Sequence, residues 1–62
     1  MNPIADLRRK NGLTVREMAT RCGLHYSKIS RLERGQHEPT VRQLQEIAKA
    51  FRIKEWWKLY HH

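Results

Sequence analysis

TVREMATRCGLHYSKISRLER, residues 14–34, is the stretch that decides the fold. It opens on Thr14 with Glu17 three residues later, the capping-box pattern in which each side chain satisfies the other's orphan backbone N–H at a helix start. Val15, Met18, Ala19 and Cys22 then recur at i, i+3, i+4 and i+7, the stripe of an amphipathic helix. Gly23 ends that helix. A second helix is expected from His25 to Arg34, with Ile29 and Leu32 inward and Gly35 closing it. The connection is about three residues long and contains Gly, which is the geometry of a helix-turn-helix. Helix pairs this close also occur in proteins that never touch nucleic acid, so spacing alone decides only the local structure.

Working outward, the same grammar repeats on both sides. Asn2 is an N-cap with Pro3 at the first helical position, where its missing N–H costs nothing. Ile4, Leu7 and Arg8 mark one face of a first helix, and Gly12 ends it, with Leu13 as the apolar residue after the cap. Beyond the loop through Pro39, Thr40 and Gln43 form a second capping box, and Val41, Leu44, Ile47, Ala48 and Phe51 supply the apolar face of a fourth helix. A short fifth helix follows around Glu55, Trp56 and Trp57. No stretch alternates with period two for long enough to make a strand. The expected class is all-α: a compact bundle of four to five short helices, one domain over residues 1–62.

Sixty-two residues bury only about 60% of the unfolded surface, so the stability margin is thin. Cys22 stands alone and has no disulfide partner, which fits a reducing cytoplasm. Apolar runs are too short for a signal peptide or a membrane span, and a cytoplasmic location is the expectation. Thirteen Lys and Arg against six Asp and Glu give a net charge of +7 and ask for a polyanionic partner. Eight of those cations, Arg8, Arg9, Lys10, Arg16, Arg21, Lys28, Arg31 and Arg34, fall between positions 8 and 34, opposed only by Glu17 and Glu33. The charge is concentrated where the helix pair lies.

The third helix can be read on its own wheel. At about 100° per residue, Ile29, Leu32 and Glu33 cluster on one side with His25 near them. Ser27, Ser30, Arg31 and Arg34 lie opposite, flanked by Tyr26 and Lys28. That outer face is polar, basic and free of acid, whereas an ordinary solvated face mixes both signs.

LTVREMA (13–19), GLHYSKISRLERG (23–35) and EPTVRQL (38–44) together resemble the phage repressor and Cro-type helix-turn-helix family, over roughly residues 3 to 53. The resemblance implies a lambda-repressor-like fold and sequence-specific binding to double-stranded DNA. It implies that Tyr26, Ser27 and Arg31 face base edges with Ser30 nearby. Arg31 is then the best candidate for a bidentate bond to guanine O6 and N7, worth about 1–3 kcal/mol of discrimination. Ser27 and Ser30 allow close approach, and Tyr26 can pack against a thymine methyl or bond a phosphate, both of which the sequence leaves open. It also implies two backbone clamps. One is the Thr14-capped helix start with Arg16; the other comprises Arg34, Gln36, His37 and the start of the fourth helix at Thr40 and Arg42. Lys28 joins either set. Such contacts position a protein without reading sequence. Arg8 and Glu33 occupy positions where family members hold a buried ion pair between the first and third helices.

Departures from the family's pattern are Val15, where a hydrogen-bonding Gln is common; His25, a poorer cap than the usual Ser; and Arg52 in place of Gly. Adjacent Trp56 and Trp57 point about 100° apart on a helix, so one seals the core with Ile53 and the other faces outward. The outward one is either a chance exposed aromatic or part of a homodimer interface, where Trp is enriched; the dimer is the expectation, with Trp56, Trp57 and Tyr60 as its candidate surface. His25, His37, His61, His62 and Cys22 lack metal-ligand spacing, and no cofactor or metal is expected. His61 and His62 are open to a purification-tag origin. No catalytic constellation can be assembled, so the chain is read as a non-enzyme. The leading reading is a repressor that binds a palindromic operator as a dimer. The nearest rival is an antitoxin with a toxin partner, disfavoured for want of a toxin-wrapping tail. RNA or membrane-surface binding would explain the charge but not the capped helix pair.

Overall fold

The computed structural model describes residues 2–60; His61 and His62 lie outside the described residues. The chain forms α1 (Pro3–Lys10), α2 (Val15–Cys22), α3 (Tyr26–Glu33) and α4 (Val41–Ala50), then a 3₁₀ turn at Trp56–Leu59. No strand occurs among the described residues.

Each helix starts at a side-chain cap. Asn2 Oδ1 accepts from the N–H groups of Ile4 and Ala5 at 2.9 and 3.2 Å. Its amide nitrogen donates to the Leu32 carbonyl at 2.8 Å, so one residue starts α1 and ties it to the end of α3. Both expected capping boxes are present, Thr14 with Glu17 on α2 and Thr40 with Gln43 on α4. The cap of α3 is His25: its Nδ1 accepts the Ser27 N–H at 3.2 Å. This corrects the expectation of a poor cap at position 25. Nδ1 sits at the same distance along the side chain as the Oδ1 of Asn or Asp, so a neutral imidazole reaches the same orphan donor.

The helices end by one device. After α2, Gly23 turns left-handed (φ +70°) and Leu24 N–H bonds back to the Ala19 carbonyl at 3.0 Å. After α4, Ile53 N–H bonds to the Ala48 carbonyl at 2.8 Å in the same way. There the left-handed position is held by Arg52 (φ +57°), which lacks glycine's freedom.

Ile4, Met18, Ala19, Cys22, Ile29, Leu32, Leu44, Ile47, Ala48 and Leu59 form one buried cluster, and among the described residues no polar or charged residue is buried with them. One expectation needs correction. Val41 is 54% exposed rather than part of the buried face of α4. It is the helix's first residue and lies about 60–70° from the centre of the Leu44–Ile47–Ala48 stripe at 100° per residue, on a turn no other element covers. The fifth element is a 3₁₀ turn whose buried residue is Leu59, while Trp56 packs half-buried against the core and Trp57 is 57% exposed.

Candidate nucleic-acid interface

α3 packs on α2 through Ile29 and Leu32, which turns its opposite side outward. Tyr26, Arg31 and Arg34 are exposed, and Ser27 and Ser30 are half-buried. No acidic side chain stands on that face. Among the described residues the Arg31 side chain makes no hydrogen bond or ion pair, so its guanidinium is free to meet a ligand. Arg34 Nε reaches back to the Ser30 carbonyl at a long 3.4 Å.

Several side-chain contacts converge on the N-terminal end of α3. The His25 ring stacks on Tyr26, centroids 5.0 Å apart with an interplanar angle of 29°. The Ser27 hydroxyl donates to the same His25 Nδ1 at 2.8 Å. From the neighbouring helix, Arg16 lays its guanidinium over the Tyr26 ring, 4.3 Å from the centroid.

The capping boxes sharpen the expected backbone clamps. Thr14 N–H donates to Glu17 Oε1 at 2.8 Å and Thr14 Oγ1 accepts from Glu17 N–H, so both are already used. The unpaired donors at the start of α2 are the N–H groups of Val15 and Arg16. Thr40 and Gln43 do the same on α4, which leaves the N–H groups of Val41 and Arg42. Glu17 has its pKa lowered because the Thr14 N–H bonds its carboxylate, with the Thr14 hydroxyl adding to the effect.

Lys28 lies half-buried with Nζ 3.4 Å from His37 Nε2, which joins α3 to the loop before α4. Gln36 is exposed on that loop, held by its N–H to the Arg31 carbonyl at 2.9 Å. The structure thus groups Arg16 with Tyr26 and Lys28 with His37. No hydrogen bond, ion pair or ring contact among the described residues joins Thr40 or Arg42 to α3. Arg42 instead meets Glu46 at 3.9 Å on an exposed face.

Two residues brace the site from behind. Arg8 Nε donates to Glu33 Oε2 at 2.7 Å and Arg8 Nη1 to the Leu13 carbonyl at 2.9 Å, with side-chain exposures of 18% and 9% for the pair. The bond to Glu33 pushes the Arg8 pKa above its ordinary value. This ties α1, the α1–α2 loop and the end of α3 together. Cys22 is buried, and its thiol is pushed up to about 11 by desolvation, so it is no nucleophile at neutral pH.

Sequence reasoning missed the part His25 and Arg16 play in holding Tyr26. The signal was the sequence distance: a residue in the first turn of α2 and one in the first turn of α3 meet only once the turn geometry is known. No group of three or more His, Cys, Asp or Glu able to hold a metal ion occurs among the described residues, and no helix there is long and apolar enough to cross a membrane.

Comparison with known proteins supplies the last element. The sequence profile of the Helix-turn-helix family matches residues 4–55. An uncharacterised HTH-type transcriptional regulator of Sinorhizobium fredii, y4dJ, is 45% identical over 49 residues, which cover 79% of this chain and 64% of that protein. The chain thus spans under two thirds of the length of this relative. No solved structure matches. With the profile covering all four α-helices, and α2 and α3 paired across the turn at residues 23–25, the chain belongs to the Cro/CI-type helix-turn-helix family.

Proposed function

We propose that this protein is a transcriptional regulator that binds double-stranded DNA in a sequence-specific manner, inserting α3 into the major groove. The observation that carries the reading is the outer face of α3: exposed, basic, acid-free, and backed by a packed α2 in a helix-turn-helix chain. A recognition helix in this geometry reads base edges with its N-terminal residues while the first helix of the pair crosses the backbone. Tyr26, Ser27, Ser30 and Arg31 are the base-reading set. Arg31, exposed and unpartnered, is suited to bidentate bonding of guanine O6 and N7.

Phosphates are met by the free N–H groups at the start of α2, with Thr14 as its cap, and by Lys28, Arg34, Gln36 and His37. Val41 and Arg42 N–H at the Thr40-capped start of α4 offer a second anion-binding helix end. One α3 reads too few base pairs for useful selectivity, which argues for a dimer on a palindromic operator. Trp57 and Tyr60, both exposed, are the candidate surface for it, together with Trp56, which is half-buried and also packs against the core. A protein of this kind acts as a repressor by occupying a promoter.

Selection of binding sites from random duplex DNA tests the whole reading. The expected product is a short motif repeated with two-fold symmetry, half-sites about 10 base pairs apart centre to centre. Failure to enrich any sequence over random duplex would overturn it.

A further inference from the structure

Resting on that DNA-binding reading, we infer that Arg16 and Tyr26 act as one unit across the two helices of the motif, which selects a thymine through its 5-methyl group. Tyr26 is the first residue of α3 and is 43% exposed, whereas Ile29 and Leu32, the other large apolar residues of the helix, are buried. It is therefore the one large apolar surface that α3 offers to a groove. The thymine C5-methyl is the apolar feature that a base pair shows in the major groove, and N-terminal residues of a recognition helix are those that reach base edges.

The contacts on Tyr26 decide what it presents. The Arg16 guanidinium over the ring and the stacked His25 ring both engage its π-face. What approaches a base is the part of the ring that these two contacts leave exposed. The ring's orientation is set before any ligand arrives, so the ordering of a rotatable aromatic is not charged to binding. Arg16 is thus a positioning residue for Tyr26. Its guanidinium carbon lies over the ring, and no hydrogen bond or ion pair among the described residues occupies its N–H groups, which can therefore meet a phosphate. The neighbouring Val15 has no hydrogen-bonding atom in its side chain, so it cannot brace α3 by a polar contact. Arg16 does so by its cation–π contact with Tyr26.

The test replaces each thymine of the selected operator in turn with deoxyuridine, which removes the methyl and nothing else. The wild-type protein is expected to lose about fourfold in affinity at one position per half-site, the value of one buried methyl group. Tyr26→Phe keeps that loss, Tyr26→Ala abolishes it, and Arg16→Gln reduces it to below about twofold even as affinity falls on every duplex. Thermal melts of the exposed-site variants confirm that each folds. The inference is overturned if no operator thymine is sensitive, if the half-site holds no thymine, or if sensitivity survives Tyr26→Ala. A Tyr26→Phe variant weakened equally on all duplexes would instead assign the hydroxyl to a phosphate. Those results leave DNA binding standing. Absence of any duplex selectivity would remove the reading beneath it.

Discussion

At the scale of single residues, two positions carry stability out of proportion to their exposure. Arg8 joins Glu33 and the Leu13 carbonyl, so its loss strips a charge-assisted bond from Glu33 and a donor from a loop. Hydrogen bonds to charged groups contribute about 1.5–3 kcal/mol, and Arg8→Ala should destabilise the fold by an amount of that order. A double-mutant cycle with Glu33→Ala, read by urea unfolding, should give a coupling above about 0.5 kcal/mol, and additive effects would contradict the pair. Arg52 is the opposite case. Its left-handed backbone costs a non-glycine residue about 1–2 kcal/mol, so Arg52→Gly should stabilise by roughly half to all of that. For a chain this short, 1 kcal/mol is about 4–8 °C in Tm, and a melt showing no rise would contradict the assignment. The Arg8–Glu33 pair was legible through family resemblance and the inward place of Glu33 on its wheel. The His25 cap was not, because capping scales rank residue types and the reach of Nδ1 appears only with the backbone in place.

At the scale of elements, the helix boundaries were the most legible part of the chain. Thr14, Glu17, Thr40 and Gln43 announce two starts through chemistry confined to four consecutive residues, and the glycines announce three ends. The tail was less legible. Its 3₁₀ turn and the burial of Leu59 depend on packing against α4, which no local pattern in Trp56–Leu59 encodes. The capping box on α2 has a pH signature. The Glu17 carboxyl is held below its ordinary pKa, so its contribution is fully present above the unfolded value of 4.5 and is lost as pH falls through the lower folded value. Glu17→Gln should therefore differ from wild type in urea midpoint at pH 7 and converge with it at acid pH. A gap that stays constant with pH would show that the carboxylate does not cap.

At the scale of the molecule, a net charge of +7 meets a surface with one acid-free helix face and one exposed tryptophan, and these suit two different partners. If Trp57 lies in a dimer interface, Trp57→Ala should shift the sedimenting species toward monomer and weaken the palindromic operator more than an isolated half-site. Equal weakening on both would place Trp57 outside the interface. The central claim, that α3 lies in the major groove with its N-terminal half on the bases, is tested most directly by comparing Arg31→Ala with Arg34→Ala on specific and scrambled duplexes across a salt series. The account predicts that Arg31→Ala costs about 1–3 kcal/mol on the preferred site and relaxes choice at one base pair. Arg34→Ala should weaken all duplexes alike and lower the magnitude of the log K against log salt slope by about 1. Base preference altered by Arg34→Ala, with Arg31→Ala changing only the salt slope, would contradict it.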